Sequence, residues 1–248
     1  MYVIDLNCDL GEGASLDSEI IPLISSANIA CGYHAGGAFL MHKSVEECAK
    51  NSVAIGAHPG YPDRENFGRT NMNCTSEQIY DYMIYQLGAL SAFAKAQGVR
   101  LQHIKPHGAL YNMAGKDIKI ARAIAKAIFD FDNSLILLAL SGSKMIEAAK
   151  EYNLKYACEV FADRAYEKDG SLRQRGLDGA MITDENEAIA RVVRMVKEGK
   201  VKAYTGEDIC VQADSVCVHG DGKKALDFVK ALNKAFEEND IKITPFGN

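Results

Sequence analysis

Seven short apolar runs punctuate this chain, at Val3-Ile4, 25–30, 53–57, 101–104, 135–140, 156–161 and 215–218. Each is bounded by glycine, proline or polar clusters, the pattern of a strand buried on both faces. Between them the periodicity predicts helices over about 38–51, 75–96, 116–129, 143–152, 184–198 and 223–238. The second opens on Thr75-Ser76-Glu77, a hydroxyl cap followed by an acid, and stops at Gly98. Strand–helix alternation of this kind implies a parallel sheet with right-handed crossovers, either an open sheet or a barrel. Seven strands at near-regular intervals fit a closed or nearly closed barrel better than a small open sheet. No Pro/Ser-rich linker, composition break or low-complexity tract interrupts the pattern, so one domain over 1–248 is expected.

Four of the runs end in bursts of polar, chemically capable residues. Val3-Ile4 leads into Asp5, Asn7, Asp9 and Glu12, and 25–30 into Cys31-Gly32-Tyr33-His34. The run at 53–57 stops at His58-Pro59-Gly60, and 101–104 stops at Lys105-Pro106-His107-Gly108. Strands that repeatedly deliver functional groups just past their carboxyl ends build the pocket of an α/β enzyme. The bulk numbers exclude other classes. A formal charge of −5 with no basic block argues against a nucleic-acid binder. No apolar stretch approaches the ~20 residues that span a bilayer. Met1-Tyr2-Val3-Ile4-Asp5 lacks the basic start and long apolar core of a secretory signal, so a cytoplasmic protein is expected. Seven cysteines, an odd count without a C-x-x-C pair, speak against a disulfide framework or a zinc knuckle.

Period-2 alternation places Asp5, Asn7 and Asp9 on one side of an extended segment, with Glu12 just beyond. Clustered acids serve general-base chemistry or ligate a divalent cation, and a charged turn capping the next helix is the bland alternative. Buried strand ends seldom carry so much charge without a use, which favours function. His34 lies in a glycine-bearing turn ahead of a helix, where backbone N–H groups can hold an anion, although a plain tight turn also explains the glycines. His58, locked by a proline turn and followed by Arg69, and His107, two residues after Lys105, complete three histidines at equivalent strand ends. Lys105 can pair with a substrate carboxylate or steady an oxyanion. Glu159 and Arg164 repeat the pattern, as does His219 with Asp221, whereas His42 and His103 read as structural. The Tyr80-Tyr82-Met83-Tyr85 cluster reads as a helix packing face. The long charged segment 163–183 carries Arg164, Arg173 and Arg175 and reads as an anion-facing flap or a solvated loop. There is no G-x-x-x-x-G-K-[ST] and no G-x-S-x-G, so a nucleotide is held in a non-standard way or by another chain.

Asp5-Leu6-Asn7-Cys8-Asp9-Leu10-Gly11-Glu12, Ala27 to Gly36, Ile55 to Asp63, Lys105 to Asn112 and Glu159 to Arg164 closely resemble the motifs of the LamB/YcsF family, the A subunits of bacterial 5-oxoprolinase. The similarity runs through Cys217-Val218-His219-Gly220-Asp221 and so covers essentially the whole chain. This chain departs from the family's usual pattern at Gly37-Ala38 and Thr70. The resemblance implies a seven-stranded parallel β/α barrel, TIM-barrel-like and of the glycoside hydrolase/deacetylase type. It also implies ATP-dependent opening of 5-oxoproline to L-glutamate, with ATP as cosubstrate, Mg2+ accompanying it, and partner subunits B and C. On that reading Asp9 or His58 is the general base, and Lys105 and Arg175 bind carboxylate or phosphate. Asn7, His34 and His107 orient the reacting groups, and Asp5, Glu12, Arg69, Glu159, Arg164 and His219 are expected at the substrate. Two other readings compete: a stand-alone metal-dependent deacetylase or hydrolase, and a non-catalytic ligand-binding subunit.

Overall fold

The computed structural model describes residues 1–219 and 225–247. Six parallel strands come first: β1 (Tyr2–Leu10), β2 (Ser26–Ala30), β3 (Ala54–His58), β4 (Leu101–Ile104), β5 (Ile136–Leu140) and β6 (Lys155–Phe161). A small antiparallel hairpin follows, β7 (Lys200–Lys202) with β8 (Asp208–Cys210), outside the main sheet. The strand β9 (Ser215–His219) then enters between β6 and β1 and pairs in parallel with both, closing a seven-stranded barrel in chain order. A last short strand, β10 (Ile241–Ile243), adds to the amino end of β1 at Tyr2–Ile4.

Helices cover the outside: α1 (Asp17–Ile20), α2 (Ala38–Lys50), α3 (Ser76–Ala96), α4 (Gly108–Lys116), α5 (Ile118–Asp132), α6 (Lys144–Glu151), α7 (Glu185–Glu198) and α8 (Ala225–Glu238). The α3 start forms a full capping box, with Thr75 Oγ1 accepting from Gln78 N–H and Gln78 Oε1 accepting from Thr75 N–H. None of the described helices is long and apolar enough to cross a membrane. All seven expected barrel strands and all six expected helices form. Sequence periodicity does not resolve α4, whose nine residues include two glycines that depress helix propensity.

Alternation along the strands sorts two environments. Ile4, Leu6, Cys8 and Leu10 of β1 face outward into the apolar layer under the helices. Asp5, Asn7 and Asp9 point inward, as do Ser26 and Asn28 of β2, His103 of β4, Glu159 of β6 and Ser215 of β9, all of them buried. The barrel interior is therefore polar along much of its axis, and each group in it needs a partner. Its far end is sealed by a separate apolar cluster of Ile136, Leu138 and Ala157 with Phe246 of the C-terminal tail. At Gly56 a side chain is impossible, because a Cβ there would lie 2.1 Å from His103 Nε2. The missing side chain makes room for the imidazole.

Candidate active site

The deepest inward layer is built on Asp5. Its carboxylate accepts from Ser25 Oγ at 2.6 Å, Ser26 Oγ at 2.8 Å and Ser215 Oγ. Burial pushes the Asp5 carboxyl up to about 6 against the ordinary 3.8, and the three hydroxyl donors only partly offset this. Because the folded value lies above the unfolded one, the proton on Asp5 favours the fold fully below about pH 3.8. That contribution fades as pH rises through about 6. Asp5→Asn removes the titration, so the stability of the native chain relative to the variant should fall by up to about 3 kcal/mol between acid and neutral pH. Urea unfolding of both proteins at a series of pH values measures this slope, and parallel profiles would refute it.

One layer up, Asn7 Nδ2 donates to Ser215 Oγ at 2.7 Å and to Glu159 Oε1 at 3.0 Å. Asn28 Nδ2 donates to Asn7 Oδ1 at 2.7 Å and to Asp9 Oδ1 at 2.8 Å, and its own Oδ1 faces His103 Nε2 at 2.7 Å. Lys105 Nζ sits at the centre. It lies 2.9 Å from Asp9 Oδ1, 2.8 Å from Glu159 Oε1, 3.3 Å from Asn7 Oδ1 and 3.0 Å from Cys217 Sγ. Burial opposes its charge, yet Asp9, Cys217 and Glu159 outweigh that cost and hold the ammonium well above its ordinary pKa. Tyr111 of α4 donates to the other oxygen of Glu159 at 2.7 Å, and burial together with that carboxylate keeps the phenol protonated.

At the mouth, three imidazoles gather around Glu12. His58 Nδ1 faces the Lys105 carbonyl at 2.7 Å and His107 Nε2 faces the Phe67 carbonyl at 2.8 Å, so both of those nitrogens carry hydrogen. The opposite nitrogens, His58 Nε2 and His107 Nδ1, meet at 2.9 Å. Glu12 Oε1 lies 3.0 Å from His34 Nε2, 3.5 Å from His107 Nδ1 and 3.8 Å from His58 Nε2, and Asp9 Oδ2 lies 3.4 Å from His58 Nε2. His34 stacks on His107 with ring centroids 3.7 Å apart and planes 1° from parallel. Glycine permits this pile: a Cβ at Gly68 would come within 2.7 Å of His34 Cβ and 2.9 Å of His107 Cδ2. Burial opposes charging His58, but Asp9 overrides it and raises that ring's pKa. Burial, with neighbouring histidines, holds His34 and His107 well below the ordinary value.

These groups open onto a cleft of about 940 Å3 lined on its far side by the loop after β6. Asp9, Glu12, His58, Arg69, Lys105, His107, Arg164 and Arg175 line it, which brings eight of the expected residues to one mouth. Asn7, Glu159 and His34 lie directly behind that surface, and Asp5 lies lower still, two layers from Asp9. His219 ends β9 in register with Asp9; its side chain, like Asp221, lies outside the described residues. Arg173 turns away to Glu167 and stacks on Tyr204, whereas Arg164 is buried with its Nε unpartnered among the described residues. Burial and the nearby Arg175 lower the Arg164 pKa to about 10. Asn28, Tyr111, Ser215 and Cys217 belong to the network although sequence reasoning does not single them out. Asn28 is recoverable, since it stands opposite Asp9 on the neighbouring strand. Tyr111 and Cys217 depend on tertiary closure and are not.

Similarity to known proteins agrees with this architecture. Residues 4–248 match the model of the LamB/YcsF family. The chain is 55% identical over 250 residues to the 5-oxoprolinase A subunit of Clostridium beijerinckii, covering 99% of this chain and 98% of that one. The crystal structure of the lactam utilization protein from Thermus thermophilus superposes with a TM-score of 0.91 at 43% identity, covering 98% and 99% of the two chains. The T48 deacetylase, at 12% identity and a TM-score of 0.53 over 98% of this chain and 87% of its own, shares the fold alone. With a match running from residue 4 to the last residue, the chain belongs to the LamB/YcsF family.

Proposed function

We propose that this chain is the A component of a cytoplasmic, ATP-dependent 5-oxoprolinase, opening 5-oxoproline to L-glutamate together with partner subunits B and C. The observation that carries this reading is the end-to-end similarity to a 5-oxoprolinase A subunit, at 55% identity; the chemistry of the cleft supports it. A five-membered lactam resists water because its amide is resonance-stabilised. Transfer of the ATP γ-phosphoryl group to the amide oxygen makes the ring carbon electrophilic. Water then adds, the C–N bond breaks with a proton delivered to nitrogen, and a second water releases phosphate from the resulting acyl phosphate. Overall one lactam, one ATP and two waters give glutamate, ADP and phosphate.

On this reading Asp9 takes the proton from water, with His58 the other candidate base, while Lys105 and Asn28 fix the Asp9 carboxylate and Asn7 braces both of them. Arg164 and Arg175 on the flap, with Arg69 opposite, bind the substrate carboxylate or the transferred phosphoryl group. His107, His34 and Glu12 hold the mouth in shape, and Mg2+ accompanies the nucleotide. Co-purification with candidate B and C subunits, followed by assay with 5-oxoproline and ATP, should give glutamate and ADP in equal amounts. A reconstituted complex that forms no glutamate would sink the reading.

The second reading, a metal-dependent hydrolase acting alone, is favoured by one observation, the Glu12 and histidine cluster. Release of acetate from an N-acetylated substrate by the isolated chain, without ATP, would select it.

A further inference from the structure

We propose that His58, His107 and Glu12 form a site for one divalent transition-metal ion, and that His34 positions Glu12 rather than ligating. The far nitrogen of each ligating ring is committed to a backbone carbonyl, His58 Nδ1 to Lys105 and His107 Nε2 to Phe67. Each near nitrogen therefore presents a lone pair once a metal displaces the proton held between them. These lone pairs converge, 2.9 Å apart on rings inclined at 89°. Two imidazole nitrogens at metal–nitrogen distances of about 2.0–2.1 Å stand roughly 2.9–3.4 Å apart for bond angles between square and tetrahedral. Glu12 Oε1, at 3.5 and 3.8 Å from the same two nitrogens, completes a three-donor face. All three residues line the cleft, so an ion has a route in and an open side toward the ligand. Metal-bound histidines donate their other N–H to a fixed acceptor, and both of these do.

His34 fails the same two criteria. Its ring is parallel to His107, so their in-plane lone pairs cannot point at one ion. Its Nδ1 is buried without a hydrogen-bond partner among the described residues, which leaves Nε2 as the N–H that donates to Glu12. A donor set of two imidazoles and a carboxylate suits Zn2+, Mn2+, Fe2+ or Co2+ better than Mg2+, which prefers oxygen ligands. The site is therefore distinct from the magnesium that travels with a nucleotide. Metal binding stands on these distances alone. Its use as a Lewis acid on the lactam or phosphoryl oxygen rests on the ring-opening reading.

The test is equilibrium dialysis of the chelator-stripped full chain against micromolar Zn2+ or Co2+, with elemental analysis, visible Co2+ absorption and the thermal midpoint as readouts. One equivalent of metal, a ligand-field band and a raised midpoint are expected, unaffected by equimolar Mg2+. His58→Ala and His107→Ala should each weaken binding by at least ~10²-fold. His34→Ala should keep the stoichiometry and lose roughly 10–100-fold in affinity, as partners that orient a ligand do. No bound metal in the wild-type chain, or a His58–His107 pair found by nitrogen NMR to hold only a proton in the presence of Zn2+, would overturn the proposal. Binding that survives both alanine variants would do the same. None of these readouts needs ATP or the other components of the complex, so a failure to reconstitute ring opening leaves the result standing.

Discussion

Lys105→Met should cost the fold about 3–5 kcal/mol and lower turnover steeply. The ammonium is almost wholly buried and is the cation shared by Asp9 and Glu159, at 2.9 and 2.8 Å. Methionine fills much of the volume but leaves two carboxylates in the barrel axis without their counter-charge. Breaking a buried pair from one side is far more damaging than replacing both partners, because the remaining charge stays desolvated. For a chain of this size the loss corresponds to a fall in thermal midpoint of roughly 6–20 °C. Lys105→Met combined with Glu159→Gln should recover part of it, since the amide oxygen can still accept from Asn7 Nδ2 while its N–H2 donates to the Tyr111 hydroxyl, which can accept as well as donate. Turnover should fall by ~10²–10³-fold or more even in molecules that fold, because the group that fixes Asp9 and faces the cleft is gone. Calorimetry on the two variants checks the first claim. A single-variant midpoint within about 2 °C of wild type would mean that the carboxylates had neutralised themselves and that the ion pair is not what holds this layer.

The strand framework was legible because each barrel strand is buried on both faces or ends in a burst of polar groups, and both patterns survive in one dimension. The inward alternation of Asp5, Asn7 and Asp9 was legible for the same reason. Depth was not. Asp5 reads as part of the same cluster, yet four residues at about 3.3 Å each put it about 13 Å back along the strand from Asp9, among serines rather than at the cleft. His103 reads as structural from its place inside a run, and it is buried; its bond to Asn28 nevertheless ties it to the Asp9 layer. Three histidines at equivalent strand ends were visible in the sequence, but ring orientation was not, and the parallel stacking of His34 on His107 decides which of them can bind an ion. Helix α4 escaped because its glycines weaken local propensity, although it delivers Tyr111 to Glu159. The tyrosine cluster of α3 reads as a packing face; Met83 is buried as that requires, whereas Tyr85 is largely exposed and stacks on Tyr33.

Asp9→Asn should lower turnover by ~10²–10⁴-fold while leaving the fold and ligand binding nearly intact. The two donors that hold this side chain, Asn28 Nδ2 and Lys105 Nζ, both reach Oδ1, and an amide oxygen in that place accepts from both. Lys105 keeps its ion pair with Glu159, so the variant leaves no buried cation stranded. What changes is the Oδ2 side, which faces the mouth 3.4 Å from His58 Nε2: a basic oxygen becomes an N–H2 that cannot accept a proton from water. A residue needed only for binding would raise KM for 5-oxoproline and spare kcat, whereas a base used in the transition state lowers kcat with KM little changed. The assay is steady-state glutamate release by the assembled complex, alongside binding of 5-oxoproline to the variant. Retained binding with lost turnover also removes the non-catalytic, ligand-presenting alternative for this chain. Near-normal kcat would instead transfer the base to another group at the same mouth, and His58 could fill that role only if its Nε2 were not engaged by a metal ion.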